Sequence, residues 1–532
     1  MVFTNSKISY KATNSFSKLV LDYLDNDAAL QPFYNFAPTI DGLKKAVEER
    51  KSFPVNRKLL VDSLVKQYAG IEINDKLQAN IDRLLDENCF TICTAHQPNI
   101  FTGHLYFIYK ILHAIKLAET LSTEINTKNF VPVYYMGSED ADLDELGEVF
   151  INGVHYKWET TQTGAVGRML IDKNFIALIE KIAGQISVAK KGSEVMDALR
   201  NCYKECATIE TATFHFVHQL FGKYGLVILL PDNADLKNEF ASIISKELEE
   251  NFSGKAVSET VAAFPKAYKV QAAGRPINLF YLKDNSRERI ESLNDGFVVA
   301  NTNTFFSKDE MMTELKNNPE RFSPNVILRP VFQETILPNV AFIGGGGEIA
   351  YWLELKKVFE AAGAFFPALV LRNSFTIVNK KTKELINKIG LQETDFFIND
   401  RTLLEGIVKK ESELQLDLSE EKEAFKAVYE NIKKAANGID HSLCTHVHAL
   451  RTQALNKLEI LEKKMLKAEK KKFEAQQRQI TKVKETLSPT GNLQERIDNV
   501  LGYLSIYGND FIDMLYNNSA AIENEFTILT EQ

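Results

Sequence analysis

Two loop histidines, a knot of five acids and a run of four glycines are the residues of this 532-residue chain whose types and spacing could do chemistry. His96 and His104 flank the loop from Gln97 to Gly103, between a β-rich run starting at Cys89 and a helix expected from Leu105 to about Leu121. Imidazoles at such a junction can donate to phosphate oxygens as charge builds in an adenylating transition state. The other reading is a pair of loop histidines that cap backbone groups. Glu139, Asp140, Asp142, Asp144 and Glu145 follow the apolar run Phe130 to Met136 and could hold a substrate ammonium, or Mg²⁺ through water. A solvated loop leading into a helix explains Asp144 and Glu145 better than Glu139 and Asp140, because acids favour a helix start. Gly344 to Gly347 follow the strand-like Val340 to Ile343 and precede Glu348, expected to open a helix. Strand, glycine loop and helix together present backbone N–H groups to an anion. No Lys-Ser/Thr follows the glycines, and Ile349 stands where G-x-G-x-x-G has its third glycine, so neither phosphate-binding fingerprint is complete. A tight turn without a ligand remains the alternative. His441, Cys444, His446 and His448 lie close together but lack the ligand spacing of a zinc site, and no metal site is assigned.

The elements that must position these groups read as an α/β protein. Cys89 to Thr94, Phe130 to Met136, Leu226 to Asp232 (with that acid at its carboxyl end), Val340 to Ile343 and Ala368 to Arg372 are short runs of buried-strand type. The helix between the first two makes a βαβ unit and implies a parallel sheet. Residues 150–165 resemble a β excursion, 172–206 are mostly helical, and 251–325 look like an inserted α+β section. Asn56 to Leu85 reads as helical. Beyond Thr394, Phe425, Val428, Ile432 and Ala435 step by threes and fours to a turn at Asn437-Gly438. Leu443, Val447, Leu450, Ala454, Leu458, Leu461, Met465 and Ala468 then continue the rhythm, which predicts an antiparallel coiled-coil arm and a homodimer through its seam. The expected division is a core over 1–390 with insertions at about 150–225 and 250–325, an arm over 391–490, and a helical tail over 491–532 packing back on the core. A net charge of −8 argues against nucleic acid as partner. No apolar run approaches the roughly 18 residues of a membrane span, and five cysteines make no disulfide framework, so a soluble cytoplasmic protein is expected.

With these residues laid out, the chain resembles the BshC family, the cysteine ligases assigned to bacillithiol biosynthesis, over most of its length. The family's T-G-Q-Q…T-G-P-L-Y-x-I-x-K segment reads here Thr94-Ala95-His96-Gln97…Thr102-Gly103-His104-Leu105-Tyr106-Phe107-Ile108-Tyr109-Lys110. Its acidic segment is similar to Ser138 through Glu145, its L-R-P-x-x-Q to Leu328 through Gln333, and its G-G-P-G-E-I-A-Y-W to Gly344 through Trp352. Gly491 through Arg496 and Tyr507 through Phe511 also fit. His96, His104, Ala141 and Gly346 depart from the family pattern, which marks a divergent member.

The resemblance implies a Rossmann-like core with inserted connective sections, a dimerising coiled coil, and amide formation between the carboxyl of cysteine and the amine of glucosaminyl-malate. Amide synthesis in water needs an activated carboxyl, so ATP with Mg²⁺ is the implied cofactor. On that footing His96, Gln97 and His104 line the nucleotide phosphates as the catalytic set. Glu139 and Asp140 hold the ammonium, Gly344, Gly345, Gly346, Gly347 and Glu348 take the malate or a phosphate, and Arg329 and Arg372 are carboxylate forks. Thr94, Asn99, Tyr106, Lys110, Asp142, Gln333, Tyr351 and Trp352 are carried over as substrate-binding positions. Two other readings stay open: an adenylating nucleotidyltransferase on another small substrate, and a non-catalytic coiled-coil assembly protein.

Overall fold

Five apolar runs pair into one parallel sheet: β1 (Cys89–His96), β2 (Asn129–Met136), β3 (Val227–Leu229), β4 (Asn339–Gly344) and β5 (Ala368–Leu371). The order is β5-β4-β1-β2-β3, and every neighbouring pair is parallel. These strands are buried along almost their whole length, which is why they read as continuous apolar runs rather than alternating ones. Between β1 and β2 runs helix α1 (Leu105–Glu124), apolar on nearly every side. Ala114, Leu117 and Leu121 of α1 pack with Ile92, Val340, Ile343 and Val370 of the strands in the central core. The chain moves outward from β1 to β2 and β3, then returns to the other side of β1 with β4 and β5. Between β1 and β4 the order reverses, and the carboxyl ends of an open α/β sheet bind ligands at such a switch point.

This is a computed structural model, and it describes residues 2–204, 206–272 and 274–532. It divides into two units, Met1–Thr376 with Asn492–Leu529, and Ile377–Gly491 with Thr530–Gln532. The Rossmann-like sheet with a helical arm is the expected architecture. The inserted section carries a five-stranded antiparallel sheet in the order Phe305–Ser307, Gly296–Val299, Ser286–Leu293, Leu279–Lys283, Phe322–Pro324. A hairpin of Glu148–Ile151 and Val154–Lys157 forms the earlier β excursion.

Three local expectations are corrected. Asn56 to Leu85 is two helices, Arg57–Gln67 and Asp75–Arg83, because the chain turns at Gly70 with φ of +81°. Glu348 does not open its helix: α3 spans Gly346–Leu353, with Gly345 as N-cap and Glu348 in the third position. After the helices Val500–Tyr507 and Asp510–Asn518, the C-terminal tail ends in a strand, Glu525–Glu531. Immediately before β4 lies helix α2 (Arg329–Ile336), with Pro330 in its first turn where no N–H partner is lost.

In the second unit α4 (Ser419–Asn437) and α5 (Leu443–Lys470) are followed by α6 (Glu474–Leu487). Lys422 pairs with Glu462 at 2.5 Å, and Arg451 with Glu430, a crossed pattern that fixes α4 and α5 as antiparallel. The turn between them is closed by Asn437 Oδ1, which meets His441 Nδ1 at 2.7 Å and Cys444 Sγ at 3.3 Å. Phe425, Val428, Ile432, Leu450, Ile460 and Leu461 are exposed, whereas Ile480, Val483 and Leu487 of α6 are buried. Among the described residues no helix is long and apolar enough to cross a membrane.

In the first unit the segment after Gly491 is tied to β5 by a buried ion pair. Arg372 donates to both oxygens of Glu495, at 2.7 and 2.9 Å, and also to Ser374 Oγ at 3.0 Å. Removing one partner of such a pair strands a charge without solvent, at about 3–5 kcal/mol. Arg372→Met is therefore expected to lower the unfolding free energy from guanidinium titration by that amount, and Arg372→Met/Glu495→Leu to recover most of it. Equal losses in the single and double variants would show that the charge balance is not what matters there.

Candidate functional site

At the switch point a single ammonium ties three segments together. Lys110 lies on α1 among Phe107, Ile108, Tyr109 and Ile111, all buried, and its side chain is only 1% exposed. Lys110 Nζ donates to Ala95 O at the end of β1 at 2.6 Å, and to Glu348 Oε2 and Oε1 at 2.7 and 2.9 Å. Burial lowers the Lys110 pKa, and the Glu348 charge opposes that shift. Glu348 Oε2 also accepts from Gly345 N at 2.8 Å, the reciprocal arm of a capping box. The negative charge that the start of α3 attracts is thus the chain's own carboxylate. Beyond it Gly347 is exposed, with nothing within 4 Å of the position of a Cβ. Thr94 Oγ1 bonds Ile343 O at 2.9 Å and stitches β1 to β4 beneath the pair.

Beside this saturated pair stands an arginine without an acid. Arg329, at the start of α2, donates Nη1 to Gln333 Oε1 and Nη2 to the Tyr351 hydroxyl, both at 3.2 Å. Its guanidinium lies 5.5 Å from the centre of the Tyr135 ring and forms no ion pair among the described residues. Trp352 faces the core, stacked on Phe342 with ring centres 4.3 Å apart. Arg372, paired with Glu495, lies 5.3 Å from the Tyr106 ring.

The acids after β2 separate into two kinds. Glu139 is buried and paired with Lys237, which also reaches Asp232 at 3.2 Å and Glu320 O at 2.9 Å. Arg168 holds Asp232 through two bonds of 2.6 and 2.7 Å. Burial raises the Glu139 pKa although Lys237 opposes it, and burial together with Asp232 pushes Glu210 up to about 7. Gly167 lets the segment carrying Arg168 lie on this loop: a Cβ there would stand 2.5 Å from Ser138 Cβ. Asp140 accepts from Gln97 Nε2 at 3.0 Å and from Ala141 N at 2.8 Å, and has no cation partner among the described residues. Asp142 caps the turn Leu143–Leu146 through Glu145 N at 3.2 Å. Lys237, Arg168 and Glu210 were not singled out from the sequence. Their one signal was Asp232, an acid at the carboxyl end of an apolar run.

The loop after β1 is strained. Phe101 and Thr102 take φ of 52° and 70°, and Gly103 takes 61°. A non-glycine residue pays for that conformation, so surrounding bonds must impose it. Asn499 Nδ2 donates to Phe101 O at 2.9 Å and Gly103 O at 2.5 Å, and Phe101 N donates to the Tyr203 hydroxyl at 3.1 Å. His104 Nδ1 meets Ile497 O at 3.1 Å. The Tyr106 ring lies 5.4 Å from that of His96 and 5.6 Å from that of His104. His96 Nε2, Asn99 Oδ1 and Thr102 Oγ1 are buried without a protein partner. Burial, reinforced by the Lys110, His104 and Arg372 charges, pushes the His96 pKa far below the usual imidazole range, so its ring is neutral.

The family comparisons agree with the fold. A model described as the N-terminal Rossmann-like domain of bacillithiol biosynthesis BshC matches residues 3–373, and one described as its C-terminal coiled-coil domain matches residues 375–531. A Flavobacterium johnsoniae protein is 38% identical over 525 residues, covering 98% of this chain and 99% of its own. A Flavobacterium psychrophilum protein is 39% identical over 525 residues, covering 98% of each. A Bacillus cereus protein is 26% identical over 525 residues, covering 96% of this chain and 97% of its own. All three are named for a cysteine ligase, BshC.

The strained loop gives a test that needs no substrate. Asn499 Oδ1 caps the following helix through Leu501 N, so Asn499→Ser keeps a capping oxygen and removes the two donated bonds without adding a charge. Two buried carbonyls left unpaired are expected to cost about 2–4 kcal/mol. Amide exchange at residues 101–104 is expected to quicken selectively. Unchanged exchange there would show that the loop keeps its shape without Asn499.

Proposed function

The chain belongs to the BshC family, the cysteine ligases of bacillithiol biosynthesis, and from that premise we propose that the switch-point site joins the carboxyl of cysteine to the amine of glucosaminyl-malate. The observation that carries this reading is Arg329, a guanidinium with no acid partner among the described residues, beside a Lys110–Glu348 pair already satisfied within the protein. Arg329 suits the malyl carboxylates rather than the cysteine carboxyl, because a carboxyl clamped by a guanidinium is disfavoured as a reacting group. Asp140, which has no cation partner among the described residues, takes the cysteine ammonium, while Glu139 is held by Lys237 and shapes the loop. Bound ATP with Mg²⁺ would supply the leaving group that carboxyl activation needs. The groups that fit its phosphates are the unpartnered His96 Nε2, the neighbouring Gln97 amide and the open backbone at Gly347. Held neutral, His96 offers a hydrogen-bonding nitrogen and not a charge.

The partner of the arm follows from its surface. Phe425, Val428 and Ile432 on α4 and Leu450 and Leu461 on α5 are left in water by a single chain. A second copy would bury them. Cys89, Cys93 and Cys444 are free thiols, which suits a reducing cytoplasm.

Mass spectrometry of the purified chain with cysteine, glucosaminyl-malate and ATP-Mg²⁺ is expected to give the amide product, and none without ATP. Arg329→Ala is expected to raise KM for glucosaminyl-malate roughly 10- to 100-fold, the range of a lost charge-assisted bond. Product with an unchanged KM in that variant would remove Arg329 from the site, and pyrophosphate release without cysteine would point to a different adenylating reaction. Light scattering is expected to show a dimer that Val428→Glu/Ile432→Glu converts to monomer. A dimer that survives the double substitution would place the interface elsewhere.

A further inference from the structure

A hydrogen-bond chain runs from strand β1 to the Arg329 guanidinium. Thr91 Oγ1 donates to Asn339 Oδ1 at 3.3 Å. Asn339 Nδ2 and Gln333 Nε2 both donate to Glu334 Oε1, at 2.9 and 2.8 Å. Gln333 Oε1 in turn accepts Arg329 Nη1 at 3.2 Å, and Arg329 Nη2 reaches the Tyr351 hydroxyl at 3.2 Å. Thr91, Asn339, Gln333 and Glu334 are all buried.

Glu334 is an expensive group to keep in that position. It forms no ion pair among the described residues. Arg50, the buried cation nearby, spends its guanidinium on the backbone carbonyls of Phe53, Glu334 and Leu337, at 2.8, 3.1 and 2.7 Å. That arrangement closes the C-terminal end of α2 with a positive charge, as the helix dipole favours. Glu334 Oε2 is left without a protein partner, and burial pushes the carboxyl pKa up to about 7. A purely packing role would be served as well by leucine, without the penalty of burying an acid.

What a carboxyl does there that leucine cannot is settle the direction of an amide. The two ends of a glutamine side chain are nearly the same size, and only hydrogen bonding decides which faces which neighbour. With Glu334 accepting from Gln333 Nε2, the amide oxygen is turned to the other side, where Arg329 needs an acceptor. We propose that Glu334 is a positioning residue for substrate binding: through Gln333 it fixes Arg329 in the one orientation that also reaches Tyr351. The proposal rests on the reading of Arg329 as the fork for the carboxylates of glucosaminyl-malate.

The test measures Kd for glucosaminyl-malate by calorimetric titration of the full chain, with KM and kcat for the same substrate. Glu334→Leu and Gln333→Met are each expected to weaken binding roughly 5- to 20-fold, the worth of a buried hydrogen bond, while kcat stays within about two-fold. Glu334→Gln is expected to restore binding to within about two-fold, because its amide oxygen can accept both bonds. Arg329→Ala/Glu334→Leu is expected to bind no worse than Arg329→Ala, since residues acting through one contact are not additive. Gln333→Met reads the same link if Glu334→Leu does not fold. Equal losses in Glu334→Leu and Glu334→Gln, or a full further loss in the Arg329→Ala background, would overturn the positioning role. So would unchanged Kd in both link variants when Arg329→Ala binds weakly. If Arg329→Ala itself binds normally, or the unaltered chain does not bind glucosaminyl-malate, the carboxylate-fork reading fails and the positioning role falls with it.

Discussion

An ammonium ion with 1% of its side chain exposed must find both counter-charge and hydrogen bonds inside the protein, and Lys110 finds them where the strand order reverses. Desolvating such a group costs several kcal/mol, and only close, well-directed partners offset it. The interaction joins three segments: α1, which carries Lys110, the end of β1 through Ala95 O, and the first turn of α3 through the Glu348 carboxylate. None of the three can shift without stranding the charge. The same carboxylate bonds Gly345 N, so the start of α3 is set by the requirement that Lys110 be neutralised. The glycine loop then has a definite role. It brings a helix end close enough to a strand end for one acid to serve both.

A second constraint acts from the far end of the chain. Phe101 and Thr102 carry left-handed backbone angles, a conformation that costs of order 1–3 kcal/mol per non-glycine residue. The segment 495–499 bears on them at several points: Glu495 on Arg372, Ile497 O on His104, Asp498 O on Leu105 N, and Asn499 on Phe101 and Gly103. The chain passes through Ile377–Gly491 of the second unit before this segment, which belongs to the first. The loop that carries the histidines is therefore held by residues almost 400 positions away, and its shape belongs to the finished fold rather than to the local sequence.

That distance in sequence separates what could be read from what could not. The strands and α1 were legible because each is a continuous apolar run buried on both faces, and a run of that kind has few other places to go. The helix after the glycines was legible too, but Glu348, read as its opening, stands third, after Gly345 as N-cap. Arg329 and Gln333, four apart, share a helical face and do touch. The Lys110–Glu348 pair spans 238 residues, Glu139–Lys237 spans 98 and Arg372–Glu495 spans 123, and no spacing rule reaches across such separations. For that reason Arg372 looked like a free fork and Lys237, Arg168 and Glu210 went unremarked. Four clustered metal-type side chains in the arm were locally readable in the opposite sense. His441 and Cys444 converge on Asn437 Oδ1, the ordinary need of a helix end for partners.

The same comparison of satisfied and unsatisfied groups distinguishes scaffold from ligand contact within the site. Lys110 with Glu348, Lys237 with Glu139 and Asp232, and Arg372 with Glu495 have spent their charges within the protein, and a substrate that displaced any of them would have to repay a buried ion pair. Arg329 forms no ion pair among the described residues, and His96 Nε2 and Asn99 Oδ1 are buried without a hydrogen-bond partner among them. An unpaired buried polar group costs about 1–3 kcal/mol, so folding alone gives no reason to keep several of them. A ligand with a carboxylate for Arg329 and hydrogen-bonding groups for the other two would recover that cost on binding. Most of its affinity would then come from completing bonds that the fold leaves open, and little from rearranging the ion pairs that hold these segments together.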